Sequence, residues 1–132
     1  MDTTSLRKRI SPKRILVVED EMLVAHTVRM ALAVDGHTVE IAGDGEEAIA
    51  KFKEGNYDLV ITDFELRKVD GLELAQAIKQ VSPASPIILV TGHAEMIKSG
   101  MGKVSNIEAL LSKPISISAL YDAMGRIFPP NP

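Results

Sequence analysis

Five short apolar runs, rich in β-branched residues, recur along the chain with room for one helix between each pair. They cover Arg14 to Val18, His37 to Ala42, Asp58 to Thr62, Pro86 to Val90 and Asn106 to Leu111. Continuous apolar runs of this length read as strands buried on both faces. The second alternates more weakly and belongs nearer an edge. The intervening segments, 21–34, 45–54, 71–81, 94–104 and 116–128, carry apolar residues at helical spacing. Strands alternating with helices predict a doubly wound α/β domain, a (βα)5 fold with a five-stranded parallel sheet. Right-handed crossovers then put all five carboxyl ends along one edge, where open α/β sheets bind their ligands.

Local signals place the ends of these elements. Asp35-Gly36 closes the first helix, with Gly36 suited to a left-handed cap. Asp44 and Ser116 are predicted N-caps. Ser82-Pro83 breaks the third helix. Gly100 and Gly102 each cost about 1 kcal/mol relative to Ala, so the fourth helix should be short or weak. The predicted inward faces use Val24, Val28, Ala31 and Leu32, then Ala48 and Phe52, then Leu74 and Ile78. The last helix should turn Ile117, Leu120, Met124 and Ile127 or Phe128 inward.

A chain of 132 residues is sized for one domain. It has no cysteine, which excludes disulfides, thiol nucleophiles and thiolate metal sites. No apolar run approaches the ~18 residues that span a bilayer. The N-terminus lacks an apolar stretch of signal-peptide length, so a cytoplasmic location is expected. Residues 1–14 carry five bases against Asp2, a net +4, whereas the remainder carries ten bases and seventeen acids, a net −7. Residues 1–12 are read as a basic flexible arm, 13–129 as the domain and 130–132 as a tail. An acidic body argues against broad nucleic-acid binding.

Polar groups follow the apolar runs directly. The first strand ends in Glu19-Asp20, the third in Asp63, the fourth in Thr91 and the fifth in Lys113. A parallel sheet brings them into one cleft. Clustered carboxylates repel unless a cation sits among them, and oxygen donors without thiols select hard cations such as Mg²⁺. Three acids, a hydroxyl and an ammonium suit phosphoryl transfer: metal and lysine neutralise the phosphoryl oxygens while one carboxylate attacks. Singly, each residue is an ordinary cap or turn former. Their joint position at four strand ends carries the signal.

The sequence resembles the receiver domain of bacterial two-component response regulators. The likeness rests on ILVVEDE, DLVITD, VDGLEL at 69–74, PIILVTG and LLSKPI, with spacings of 43 residues from Asp20 to Asp63, 28 to Thr91 and 22 to Lys113. It implies a flavodoxin-like fold with strand order 2-1-3-4-5. It also implies that Asp63 accepts a phosphoryl group from a sensor histidine kinase or a histidine phosphotransfer protein. Asp20 and Asp63 would bind Mg²⁺ directly, Glu19 more loosely, and the backbone carbonyl of Glu65 would complete the protein's share. Thr91 would move toward the phosphoryl oxygen, and Lys113 would pair with Asp63 and then with the phosphoryl group. Such a domain is a switch with a self-catalysed reaction, not a metabolic enzyme. Glu65 and His93, two residues beyond Asp63 and Thr91, would tune hydrolysis.

Two positions depart from the family's pattern. Arg67 replaces a common proline, predicting a looser and more basic loop. Leu110 replaces a common aromatic on the switch face of the fifth strand, so signal output must run differently. With no recognisable output segment after Pro129, a single-domain regulator acting through a separate effector protein is expected, without direct DNA or membrane binding. An alternative is a receiver fragment of a hybrid histidine kinase. A haloacid dehalogenase-type phosphatase fits poorly, because Glu65 stands where its second aspartate belongs. A flavodoxin-like nucleotide or flavin module would need a phosphate loop, and EDEML at 19–23 repels phosphate.

Overall fold

The structure, a computed structural model, describes residues 10–95, 97 and 106–129. Its elements are β1 (Arg14–Val18), α1 (Met22–Val34), β2 (Thr38–Ala42), α2 (Gly45–Glu54), β3 (Leu59–Asp63), α3 (Gly71–Val81), β4 (Ile87–Thr91), β5 (Ala109–Ser112) and α4 (Ile117–Ile127). The five strands form one sheet in the order β2-β1-β3-β4-β5, every pair parallel. This is the expected topology, with β2 at an edge. The helix expected over 94–104 falls largely outside the described residues; 94, 95 and 97 are helical. Residues 1–9 of the expected arm and the 130–132 tail also lie outside them. Ile10 is 7% exposed and packs into the core, which ties the described end of that arm to the domain.

Strand alternation divides the core into two layers. Ile15, Val17, Ile61, Ile88 and Val90 meet Val28 and Leu32 of α1 and Leu120 and Met124 of α4. Leu16, Val18, Val60 and Ile87 face the other way, onto Ala48 and Phe52 of α2 and Leu74, Ala75 and Ile78 of α3. Fully burying each Val, Leu or Ile stabilises by about 1.5–3 kcal/mol, so the central strands are fixed in register by both layers.

The predicted caps form. Asp44 accepts from the Glu47 amide at 2.8 Å and Ser116 from the Ala119 amide at 3.1 Å. Gly36 has φ +90°, the left-handed region expected after α1. Asp70 caps α3 reciprocally: its carboxylate accepts from the Glu73 amide at 2.9 Å, and Glu73 accepts from the Asp70 amide at 3.2 Å. Gly71, next in line, packs so closely that a Cβ there would lie 2.6 Å from the Asp63 carbonyl oxygen and 2.6 Å from Leu89 Cδ1. Only glycine lets α3 start this near the end of β3.

Two expectations change. The buried stripe of α1 is Ala25, Val28 and Leu32; Val24 and Ala31 are half-buried on its flanks. β5 begins at Ala109, not Asn106. At Glu108 the side chain takes over part of the ladder's work, its carboxylate accepting the Ile87 amide at 2.8 Å and the Lys79 ammonium at 2.8 and 3.0 Å.

Candidate functional site

The carboxyl ends of β1, β3, β4 and β5 converge on one cluster. The Glu19 amide donates to the Ala42 carbonyl at 3.0 Å, which aligns the end of β1 beside β2. Asp63 pairs in register with Val90, and Thr91 with Ser112. The Lys113 amide donates to the Thr91 carbonyl at 2.9 Å, extending the ladder one residue beyond β5. The strand ends thus aim Glu19, Asp63, Thr91 and Lys113 into one place. The Lys113–Pro114 peptide is cis.

Asp63 is 5% exposed, and its Oδ2 accepts from the Lys113 ammonium at 2.8 Å. Its Oδ1 accepts from the Glu65 amide at 3.3 Å. Oxygens of Glu19, Asp20 and Asp63 lie within 4.8 Å of one another. Thr91 is fully buried; its hydroxyl donates to Glu65 Oε1 at 3.0 Å and accepts from the His93 amide at 3.0 Å. His93 Nε2 stands 3.9 Å from the same Glu65 oxygen. Leu110 is half-buried on β5, opposite Leu89. Every residue singled out from the sequence therefore sits at this edge or on the adjoining strand.

Burial raises the proton affinity of two of these acids. Burial, then hydrogen bonding with Asp63 and its charge, pushes Glu19 up to about 7. Burial also raises Asp63, although Lys113 and Glu19 pull the other way. Burial alone would raise Glu65, yet its hydrogen bonds with Asp63 and Thr91 hold it below the usual carboxylate range. Burial works against the Lys113 charge, but Asp63 and its neighbours raise it above an ordinary lysine.

The donor set suits a hard divalent cation. Three carboxylates meet without sulfur or imidazole, and the buried Oε2 of Glu19 has no hydrogen-bond partner. An unpaired buried carboxylate oxygen beside two other acids is costly unless a cation meets it.

A family model of the response regulator receiver domain matches residues 15–125. The chain belongs to the response regulator receiver domain family. The transcriptional regulatory protein TrcR of Mycobacterium tuberculosis is 36% identical over 110 residues, spanning 83% of this chain but 43% of TrcR. Thus the receiver corresponds to less than half of that relative. The crystal structure of response regulator TrrA from Thermotoga maritima, in complex with Mg²⁺–BeF, matches with 34% identity and a TM-score of 0.79, covering 87% of this chain and 98% of that one. The chemotaxis response regulator CheY4 of Vibrio cholerae matches at 28% identity and a TM-score of 0.80, with 89% and 99% coverage.

The receiver's loop after β3 sets its two bases against acids of neighbouring segments. Arg67 Nε lies 3.9 Å from Asp20 Oδ2. Lys68 adopts φ +74° and places its ammonium 3.6 Å from Asp44 and 3.3 Å from Glu46. These solvent-exposed pairs link the loop to the turn after β1 and to the start of α2. Charge complementarity between segments remote in sequence has no spacing signature, so it was not readable beforehand. Beside the site, α1 and the β5–α4 connection flank a mainly apolar cleft of about 600 Å³, with Leu23, Val24, Thr27, Pro114 and Ile115 on its walls. Leu23, Met30 and Val34 are exposed along α1 at spacings of seven and four. Of these three, Leu23 lines the cleft.

Proposed function

We propose that this receiver takes a phosphoryl group onto Asp63 from a phosphohistidine on a sensor histidine kinase or a histidine phosphotransfer protein. The Lys113–Asp63 contact at 2.8 Å, beside the three-acid cluster, carries this reading. The Asp63 carboxylate attacks phosphorus, a P–O bond forms, the P–N bond breaks, and the imidazole leaves with the electron pair. Asp20 and Asp63 would hold Mg²⁺ through carboxylates, with Glu19 and the Glu65 backbone carbonyl completing the set. Bound there, the metal supplies positive charge to the phosphoryl oxygens during transfer. Lys113 releases the Asp63 oxygen it holds and follows the charge onto the phosphoryl group. Thr91 donates its hydroxyl to a phosphoryl oxygen. Glu65 and His93 border the path of the water that later hydrolyses the acyl phosphate and so tune its lifetime.

The output is a changed affinity for a separate effector protein, with Leu110 taking the place of an aromatic on the switch face. The relatives' names as transcriptional regulators support a pathway that ends in transcription. Acetyl phosphate with Mg²⁺ tests the chemistry. One phosphoryl group should add to the wild-type protein and none to Asp63→Asn, whose amide is a poor nucleophile. Labelling of Asp63→Asn at the wild-type rate would defeat the assignment.

A further inference from the structure

The Thr91 hydroxyl carries one proton, and that proton is already committed. It points to Glu65 Oε1 at 3.0 Å, while the oxygen's acceptor side takes the His93 amide at 3.0 Å. Glu65 is in turn anchored: its amide donates to Asp63 Oδ1 at 3.3 Å, and His93 Nε2 lies 3.9 Å from the oxygen that Thr91 uses. A hydroxyl cannot donate to two acceptors at full strength at once. Nothing in the chain's spacing requires this arrangement; the acidic side chain two residues beyond Asp63 creates it.

We propose that Glu65 is a latch on Thr91: it holds the hydroxyl in the resting position, and the arriving phosphoryl group must outcompete it. This rests on the reading of Asp63 as the phosphoacceptor and of Thr91 as a phosphoryl donor. Glu65 is a positioning residue, acting on the resting-to-active equilibrium through Thr91. That role is distinct from any effect on the water that attacks the acyl phosphate. The carboxylate acceptor makes the latch stronger than a neutral hydrogen bond. Because a ligand shifts a two-state equilibrium only by its preference for one state, an interaction made solely in the resting state lowers the apparent affinity for a phosphoryl mimic.

Beryllofluoride with Mg²⁺, titrated into the whole chain and followed by NMR, is the probe. Glu65→Ala should tighten apparent binding by roughly tenfold, the scale of one hydrogen bond to a charged acceptor. In the free Glu65→Ala protein the Thr91 methyl resonance should move toward its beryllofluoride-bound position. Glu65→Gln removes the charge but keeps an acceptor, and should stay within about threefold of wild type.

Loss of repulsion from a nearby carboxylate would also tighten binding. The latch predicts that the gain from Glu65→Ala vanishes in a Thr91→Val background and persists in Thr91→Ser, which retains a hydroxyl. Equal gains in all three backgrounds, or equal gains for Gln and Ala, would overturn the latch and leave the phosphoacceptor reading standing. A wild-type protein that binds no beryllofluoride with Mg²⁺ would overturn both.

Discussion

Lys113 and Asp63 meet at 2.8 Å across the mouths of β3 and β5, and the Lys113 amide reaches the site through the Thr91 carbonyl at 2.9 Å. One backbone hydrogen bond thus helps to position the Lys113 ammonium relative to both the Asp63 carboxylate and the Thr91 hydroxyl. Lys113→Ala should leave the sheet intact and slow labelling by acetyl phosphate on the order of 10²-fold, the scale of losing one preorganised charge partner. Circular dichroism and a phosphorylation time course on the same sample check this; wild-type kinetics would show that the ammonium is dispensable.

On the proposed Mg²⁺ reading, Glu19 should couple metal binding to pH. Its carboxyl is raised from 4.5 to about 7, so the folded protein binds more protons than the unfolded chain between those values. Stability of the metal-free protein should therefore fall as pH rises from about 4.5 to 7, by an amount on the order of 2 kcal/mol. Mg²⁺ must displace that proton, so its affinity should rise from pH 6 to pH 8 and level off above. Glu19→Gln should flatten both trends while weakening Mg²⁺ binding. Calorimetric titrations in buffers of differing ionisation enthalpy would show the released proton; a pH-independent affinity would contradict the link.

His37 should act in the opposite sense. It is 4% exposed, its Nδ1 accepts the Lys13 amide at 2.9 Å, and burial lowers its pKa. The folded state then binds fewer protons than the unfolded one below the ordinary histidine value of 6.5. Stability contributed by neutral His37 is present above that value and is lost as pH falls below it. His37→Gln keeps an acceptor for Lys13 but cannot titrate. It should show a shallower loss of melting temperature from pH 7 to pH 5 than wild type, and parallel curves would assign the acid sensitivity elsewhere.

Asp70 tests whether the start of α3 is structural or chemical. Asp70→Ala removes the carboxylate half of the reciprocal cap and leaves the residue-70 amide, which can still donate to Glu73. It should cost about 1 kcal/mol, read as a lower denaturant midpoint with an unchanged slope. Phosphorylation of Asp63 should persist, because the cap touches neither the acids nor Lys113. Loss of labelling without loss of stability would place Asp70 in the reaction.

Much of this was legible because the sheet is buried on both faces. Runs such as Ile15–Val18 and Leu59–Thr62 admit few alternatives, and the polar residues that end them mark the strand mouths. The limits were missed by a residue at β3 and β4, where Asp63 and Thr91 remain in the ladder: the Phe64 amide still donates to the Val90 carbonyl at 2.8 Å. The run from Asn106 overstates β5, which begins at Ala109; just before it the Glu108 amide still donates to the Ile87 carbonyl at 2.8 Å, while its carboxylate takes the Ile87 amide. The Glu65–Thr91 bond was hidden for a different reason. It joins the loop after β3 to the end of β4 through side chains, and neither residue's spacing fixes the rotamers that bring them together.

The closeness of Gly71 to the Asp63 carbonyl also bears on how this domain tolerates mutation. A saturation scan would find position 71 closed to every side chain, although it offers no functional group. Arg67, lying between Asp63 and Gly71 and facing solvent, would accept many replacements, whereas Lys68 at φ +74° would favour glycine or asparagine. A map of intolerant positions would therefore draw the site's border through the backbone seam between β3 and α3 and skip the charged loop that joins them.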